Sequence, residues 1–175
     1  GVWSGHDCSF YISENGRPLV HAEYERYIRE KEPSGDSVKF MFEEHGGCED
    51  IVHVATCHPH NKISNHKESY SRLSEIVKNN GGKVHVVGHH QAHAANAFFS
   101  SNFDEALILT LDGGGLDEVN GNLVTTACTL WSGTGNKIKH VHTYPINVVN
   151  IGGVWTRATR YIFKLQSGWP RGHQA

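Results

Sequence analysis

The stretch KVHVVGHHQAHAANAFFSSNFDEALILTL, from Lys83 to Leu111, decides the fold class of this chain. A short apolar run predicts a strand over Lys83–Val87, the alanine-rich segment predicts a helix over His90–Phe99, and Ala106–Leu111 predicts a buried strand. Because a strand, a helix and a second strand in succession are typical of α/β proteins, this stretch indicates a sheet with helices on its faces.

The elements predicted on either side of this stretch continue the α/β pattern. Upstream, the patterns predict a strand end, a hairpin around Asn15-Gly16, two helices and a strand: Gly1–Ser4, Ser9–Ser13 with Arg17–Arg26, Ser37–His45, Lys67–Lys78 and Ile51–Thr56. Downstream, they predict a β-pair and a last helix: Leu123–Trp131, Lys137–Tyr144 and Val154–Leu165. The order implies a mixed sheet flanked by helices, with no linker dividing residues 1–175.

Composition excludes several classes of protein. The 175 residues carry a formal net charge of −2, which excludes a strongly basic nucleic-acid arm and argues against nucleic acid as a partner. No apolar run approaches the roughly 18–20 residues that cross a bilayer, which argues against a membrane partner. Four cysteines without a CxxC pair favour a reducing compartment, so we expect a cytoplasmic protein. The 14 histidines are the unusual feature, because histidine is the commonest metal ligand.

One cysteine–histidine cluster has the composition of a zinc knuckle. It comprises Cys48, Cys57, His58, His60 and His66. Its spacings match no standard zinc finger, so a polar, histidine-rich surface loop is the alternative interpretation.

The histidines at the start of the central helix have the spacing of metal ligands. If the helix begins by His89, then His89 and His93 lie on one face about 40° apart, while His90 faces elsewhere, about 100° round the helix. The HExxH protease pattern also spaces its histidines by four, but His90 stands here in place of its glutamate. The alternative is a helix with two satisfied histidines that bind nothing.

The strand that follows ends in an acid and a glycine run. We expect Asp112 at the carboxyl end of this strand, where ligands bind in open α/β sheets, and backbone N–H groups of Gly113 and Gly114 facing phosphate oxygens. Two histidines and one carboxylate suit a first-row metal, with Fe²⁺ and Zn²⁺ as the leading choices. A strand that ends in an ordinary glycine turn is the alternative.

Two further places carry candidate chemistry. In the bend Gly5–Ser9, His6 and Asp7 could bind a phosphate or move a proton, although a plain hairpin corner explains them equally well. The charged stretch Glu23–Lys31 predicts a solvated edge strand; its basic residues could instead face an anionic substrate.

Four motifs, in this order, resemble the O-carbamoyltransferase family, which includes the nodulation-factor, cephamycin and aminoglycoside-antibiotic carbamoyltransferases. They are Gly5-His6-Asp7, Glu25-Arg26 with Arg29 and Lys31, HHQAHAANAF at His89–Phe98, and SNFDEALILTLDG at Ser101–Gly113. The resemblance spans nearly the whole chain. It implies the first lobe of an actin/Hsp70-like (RNase H-like) fold, similar to that of the universal tRNA threonylcarbamoyl-transfer proteins and the hydrogenase-maturation carbamoyltransferase.

The resemblance also implies a mechanism. ATP and carbamoyl phosphate would give a carbamoyl-adenylate at an iron-dependent site, with Zn²⁺ or Mn²⁺ as other possible metals, and the carbamoyl group would pass to the hydroxyl of a small-molecule acceptor. The implied roles are metal ligation by His89, His93 and Asp112, catalysis by His6 and Asp7, and phosphate or substrate binding by Arg26, Lys31, Gly113 and Gly114.

Two features depart from the family pattern. Family members have a histidine after the lysine of the charged stretch, where this chain has Glu32 after Lys31. The family also has a second lobe, with a further metal-binding aspartate and most of the nucleotide contacts. We therefore expect residues 1–175 to be a truncated fragment that is inactive, or nearly so, by itself.

Three other functions stay open from the sequence. The chain could be a non-catalytic metal- or phosphate-binding lobe that acts as a partner subunit. It could transfer threonylcarbamoyl groups to tRNA, since those proteins share the spaced histidines. It could also hydrolyse carbamoyl phosphate, a reaction that would need no ATP.

Overall fold

A computed structural model describes residues 1–31, 33–46, 48–57 and 66–165, and the chain divides into two compact units, Gly1–Val86 and Val87–Ala175. The prediction that residues 1–175 form a single lobe stays a prediction. Within the described residues, no helix is both long enough and apolar enough to cross a membrane.

The first unit is built on a five-stranded sheet in the order β3-β2-β1-β4-β5. Its strands are β1 Val2–Trp3, β2 Ser9–Glu14, β3 Arg17–Glu23, β4 His53–Cys57 and β5 Lys83–Val87. Strand β1 pairs antiparallel with β2 and parallel with β4, so the sheet is mixed. The predicted α/β class, with a mixed sheet flanked by helices, is therefore confirmed.

In the described part of this unit, three helices accompany the sheet: α1 Tyr24–Ile28, α2 Ser37–Glu44 and α3 Lys67–Asn79. The predicted N-cap of α2 is confirmed, because the Asp36 carboxylate accepts hydrogen bonds from the amides of Val38 and Lys39 at 3.1 and 2.9 Å. The core of the unit is formed by side chains from the sheet, α2 and α3, including Phe10, Val38, Met41, Leu73 and Val77.

The charged stretch is helical, which corrects the prediction of an edge strand. Strand β3 ends at Glu23, α1 begins at Tyr24, and Arg29 ends the helix in the left-handed conformation (φ 62°). Tyr24 and Tyr27 are three residues apart, so a helix places both on one face. Their rings pack on Phe40 with centroid separations of 5.0 and 4.8 Å, and this packing outweighs the strand-like pattern.

The second unit combines α4 His89–Phe99 with a three-stranded antiparallel sheet, β6-β7-β8. The strands are β6 Glu105–Val119, β7 Asn122–Thr134 and β8 Lys137–Tyr144. Helix α5, Ile151–Arg157, follows and continues as a π-helical segment over Ala158–Ile162. Ala94 and Phe98 of α4 pack against Ile108 and Trp131 of the sheet to form the core of this unit.

Strand β6 departs from the prediction in two ways. It continues past Asp112 to Val119, and its pairing with β7 shifts register between Leu111 and Gly115, so Asp112 lies at an irregularity inside the strand and not at its end. The strand is also not buried on both faces: Leu107 is 70% exposed, whereas its neighbour Ile108 is buried. The physical reason is that an antiparallel strand turns alternate side chains toward opposite faces, and α4 packs on one of them.

Candidate metal centre

Helix α4 presents two imidazoles to the same point. It begins at His89, directly after Gly88, so His89 and His93 are one turn apart. Their Nε2 atoms lie 3.1 Å apart, and the two rings are nearly perpendicular, at 82°. The start of the helix is what brings these atoms together.

The Asp112 carboxylate completes a group of three potential ligands. Its Oδ2 lies 2.6 Å from Nε2 of His89 and 3.5 Å from Nε2 of His93. Each of the three residues offers one ligand atom, and these atoms all lie within 4.8 Å of one another. In the described part of the chain, no other set of three or more His, Cys, Asp or Glu side chains meets the same criterion.

Glycines around Asp112 make room for the imidazole of His89. A Cβ atom on Gly115 would lie 2.2 Å from the ring of His89, so only glycine lets the strand approach this closely. On the other side, a Cβ atom on Gly152 of α5 would lie 2.5 Å from Cα of Gly113. The amide of Gly113 donates to Oδ1 of Asp112 at 2.6 Å, and its role toward phosphate, like that of Gly114, stays a prediction.

The electrostatics of the site favour positive charge next to Asp112. Hydrogen bonds from His89 and His93 hold the pKa of the Asp112 carboxyl far below its usual range, so this group is ionised at neutral pH. The same contact raises the pKa of His93, since the carboxylate stabilises the imidazolium. A proton and a metal cation compete for this position.

His90 stands outside this group of potential ligands, although its ring lies edge-on to those of His89 and His93, with centroid separations of 5.4 and 6.0 Å. It is fully buried, and burial lowers its pKa, so the ring is neutral. The neutral ring has two polar partners: Nε2 donates to the Thr126 carbonyl at 3.1 Å, and Nδ1 is paired with the Thr110 hydroxyl at 2.8 Å. These bonds anchor α4 to the sheet.

Sequence reasoning missed one residue of this site, Asp117. Its carboxylate is buried and accepts hydrogen bonds from the amides of His90 and Gln91 at the start of α4. As an acid on a strand, Asp117 looks like a solvated residue. Gly88 could have indicated such a residue, since a glycine at the N-cap leaves the first-turn amides without a local acceptor.

The other predicted site residues lie in the first unit. Nδ1 of His6 lies 2.7 Å from Oδ2 of Asp7 in the bend between β1 and β2, and both side chains are exposed. Arg26 forms an ion pair with Glu23, and Lys31 forms one with Glu25. Their predicted roles stay predictions.

Part of the remaining predictions falls outside the described residues. The predictions that name Glu32, His58 and His60 concern residues outside the described ranges. Of the proposed zinc knuckle, the described residues show Cys48 buried, with its thiol donating to the Gly46 carbonyl, and His66 close to Asp36. Cys48 also belongs to the hydrophobic core of the first unit.

Comparison with known proteins finds proteins that are similar to part of this chain. No protein-family model matches the chain. An uncharacterized protein of Synechocystis is 42% identical over 84 residues, which is 46% of this chain and 12% of that protein. The nodulation protein NolNO of Sinorhizobium fredii is 40% identical over 63 residues, which is 36% of this chain and 8% of that protein. The chain is thus similar in part to a nodulation protein, and the matched segments span about a tenth of the relatives' lengths.

Proposed function

We propose that this chain is part of a metal-dependent O-carbamoyltransferase in which His89, His93 and Asp112 hold a divalent cation. The observation that carries the proposal is the convergence of these three side chains, with ligand atoms all within 4.8 Å of one another. The motif resemblance to O-carbamoyltransferases and the 40% identity to a nodulation protein over 36% of the chain support it.

The donor set fits a first-row divalent ion. Around an ion with ligand bonds of roughly 2.0–2.2 Å, neighbouring ligand atoms lie about 3 Å apart. The three separations here are 2.6, 3.1 and 3.5 Å. Two imidazoles and one carboxylate are typical of non-haem Fe²⁺ sites with open positions, so Fe²⁺ is our first choice, with Zn²⁺ and Mn²⁺ as alternatives.

The proposed reaction consumes carbamoyl phosphate, ATP and water, forms a carbamoyl-adenylate with release of phosphate and pyrophosphate, and passes the carbamoyl group to an acceptor hydroxyl with release of AMP. When bound, the cation supplies Lewis acidity and neutralises phosphate charge. Before the cation binds, the ionised carboxylate of Asp112 keeps both imidazoles of α4 oriented through its contacts with their Nε2 atoms. In the first unit, the contact between Asp7 and Nδ1 of His6 orients that imidazole to bind a phosphate oxygen or to transfer a proton.

Titration calorimetry with Fe²⁺ under anaerobic conditions tests the cation site, with Zn²⁺ and Mn²⁺ as comparisons. The chain offers a matched control in His53 and His85, whose ring nitrogens lie 3.4 Å apart in the first unit. We expect one ion per chain, loss of binding in the double variant H89A/H93A, and unchanged binding in H53A/H85A. Equal binding by wild type and H89A/H93A, or loss in H53A/H85A alone, would overturn the proposed site.

The activity is tested with the full-length protein. Transfer of a carbamoyl group from its adenylate releases AMP, so AMP formation that depends on both ATP and carbamoyl phosphate identifies the reaction class. We expect H89A to reduce this release at least about 100-fold, because the proposed cation neutralises charge in the transition state. Phosphate release that is independent of ATP would instead indicate hydrolysis of carbamoyl phosphate.

A further inference from the structure

The amino terminus of α4 has an unusual cap. Gly88 occupies the N-cap position and has no side chain to accept a hydrogen bond, so the first-turn amides need another acceptor. Oδ2 of Asp117 accepts from the amide of His90 at 3.1 Å, and Oδ1 accepts from that of Gln91 at 3.2 Å. The cap is therefore supplied by a strand residue that lies 29 positions after the N-cap.

The surroundings of Asp117 are built for a carboxylate. The residue is 3% exposed, and Oδ2 also accepts from the hydroxyl of Thr126 at 2.6 Å. A buried carboxylate is costly unless it is hydrogen-bonded, and the positive end of a helix stabilises it further. Both oxygens are occupied by these donors, so Asp117 serves α4 and is not placed as a further cation ligand.

The fit between Asp117 and the N-cap is close. A Cβ atom on Gly88 would lie 2.2 Å from Oδ1 of Asp117, so the small residue at the N-cap and the distant acid depend on each other. The next residue after Gly88 is His89, and His93 follows one turn later. The contact that sets where α4 begins therefore also sets the positions of both imidazoles relative to Asp112.

We infer that Asp117 is a positioning residue, which caps α4 from strand β6 and thereby places His89 and His93 for cation binding. This inference rests on the proposed function. It also means that the amino terminus of α4 is not free to bind phosphate, because the Asp117 carboxylate already accepts hydrogen bonds from the amides of that turn.

The test compares D117N and D117A with E118Q, which neutralises the exposed neighbouring acid on the same strand. An asparagine offers one acceptor oxygen where the carboxylate offers two, and its amide group faces a donor. We expect Fe²⁺ binding to weaken about 10-fold or more in D117N and D117A, as for other residues that orient metal ligands, and to stay unchanged in E118Q. Affinities are measured well below each variant's melting temperature, so that a loss of stability alone does not move them.

A rescue variant separates capping from general damage. In G88S/D117A, the serine hydroxyl offers a local cap to the first-turn amides, and the missing carboxylate leaves it room. We expect this double variant to bind the cation more tightly than D117A. If D117N or D117A fails to fold, the comparison of G88S/D117A with wild type and E118Q carries the test.

Hydrogen exchange distinguishes failure of this inference from failure of the proposed function. We expect the amides of His90 and Gln91 to lose protection in D117A and to keep it in E118Q. Unchanged protection in D117A, or wild-type cation affinity in D117A, overturns the inference while leaving the cation site intact. If wild type binds no cation at His89 and His93, the proposed function fails, and the positioning role falls with it.

Discussion

At the scale of single residues, the proposed cation site depends on a carboxylate that contacts two imidazoles. The pKa of Asp112 is lowered by its contacts with His89 and His93, so a negative charge is fixed at the site at neutral pH. This charge is the strongest electrostatic attraction that the three side chains offer to a cation.

We expect D112N to weaken Fe²⁺ binding by at least about 10-fold, because the substitution removes this charge and leaves the two imidazoles without a carboxylate ligand. Calorimetry measures the change. E105Q, which neutralises an exposed acid of the same strand, is the control. Equal affinities for D112N and E105Q would show that Asp112 does not contribute a ligand.

The glycines next to Asp112 give a second prediction. In G115A the new Cβ atom would lie 2.2 Å from the ring of His89, whereas the space around a Cβ atom on Gly113 is open within 4 Å. We therefore expect G115A to displace the imidazole and lose cation affinity, while G113A keeps it. An equal effect of the two substitutions would contradict the close approach of strand and ring.

At the scale of elements, the sequence predicts well those helices and strands that have a clear local pattern, and it predicts poorly those that depend on long-range contacts. The bounds of β5 and β8 match the predicted ranges, and those of α3 and α4 differ by one residue, because each carries a clear pattern or end signal. Helix α1 was missed, since two tyrosines packing on Phe40 decide it against a run of charges.

In the candidate site, too, local geometry is predicted from the sequence and long-range contacts are not. The spacing of His89 and His93 predicts their shared face, because that depends only on helical geometry. Asp112 was correctly expected near them but at a strand end, whereas it lies at a register shift that pairing with β7 creates. Asp117 could not be found from local pattern, because its partners are the amides of another element.

The packing of α1 gives a stability prediction. Phe40 is buried and contacts the rings of Phe10, Tyr24 and Tyr27. We expect F40A to lower the free energy of unfolding of the first unit by about 3–5 kcal/mol, through lost burial and an unfilled cavity. Urea titration followed by circular dichroism measures the loss. F103A removes a phenylalanine that is 69% exposed and should change the free energy of unfolding by less than about 0.5 kcal/mol.

At the scale of the whole molecule, three thiols are buried: Cys8, Cys48 and Cys128. Burial raises the pKa of Cys8 to about 12, and it also raises the pKa of the other two. An unfolded thiol titrates near pH 8.5, so above that pH the unfolded chain loses protons that the native chain retains. Stability linked to these thiols is thus fully present below about pH 8.5 and falls as the pH rises toward 12.

We expect the urea concentration at the unfolding midpoint of the first unit to decrease as the pH is raised from 7.5 to 9.5. This decrease should be smaller in C8A. The difference between the two profiles isolates the thiol from other titrating groups. Parallel profiles for wild type and C8A would contradict the assignment.

The most direct test of the proposed cation site is the position of the bound ion. Anomalous diffraction at the iron edge, from crystals of the Fe²⁺-loaded protein, locates that ion without reference to activity. We expect one peak within roughly 2.0–2.2 Å of Nε2 of His89, Nε2 of His93 and Oδ2 of Asp112. A peak elsewhere, such as between His53 and His85, or a site without iron at saturating Fe²⁺, would contradict the proposed cation site.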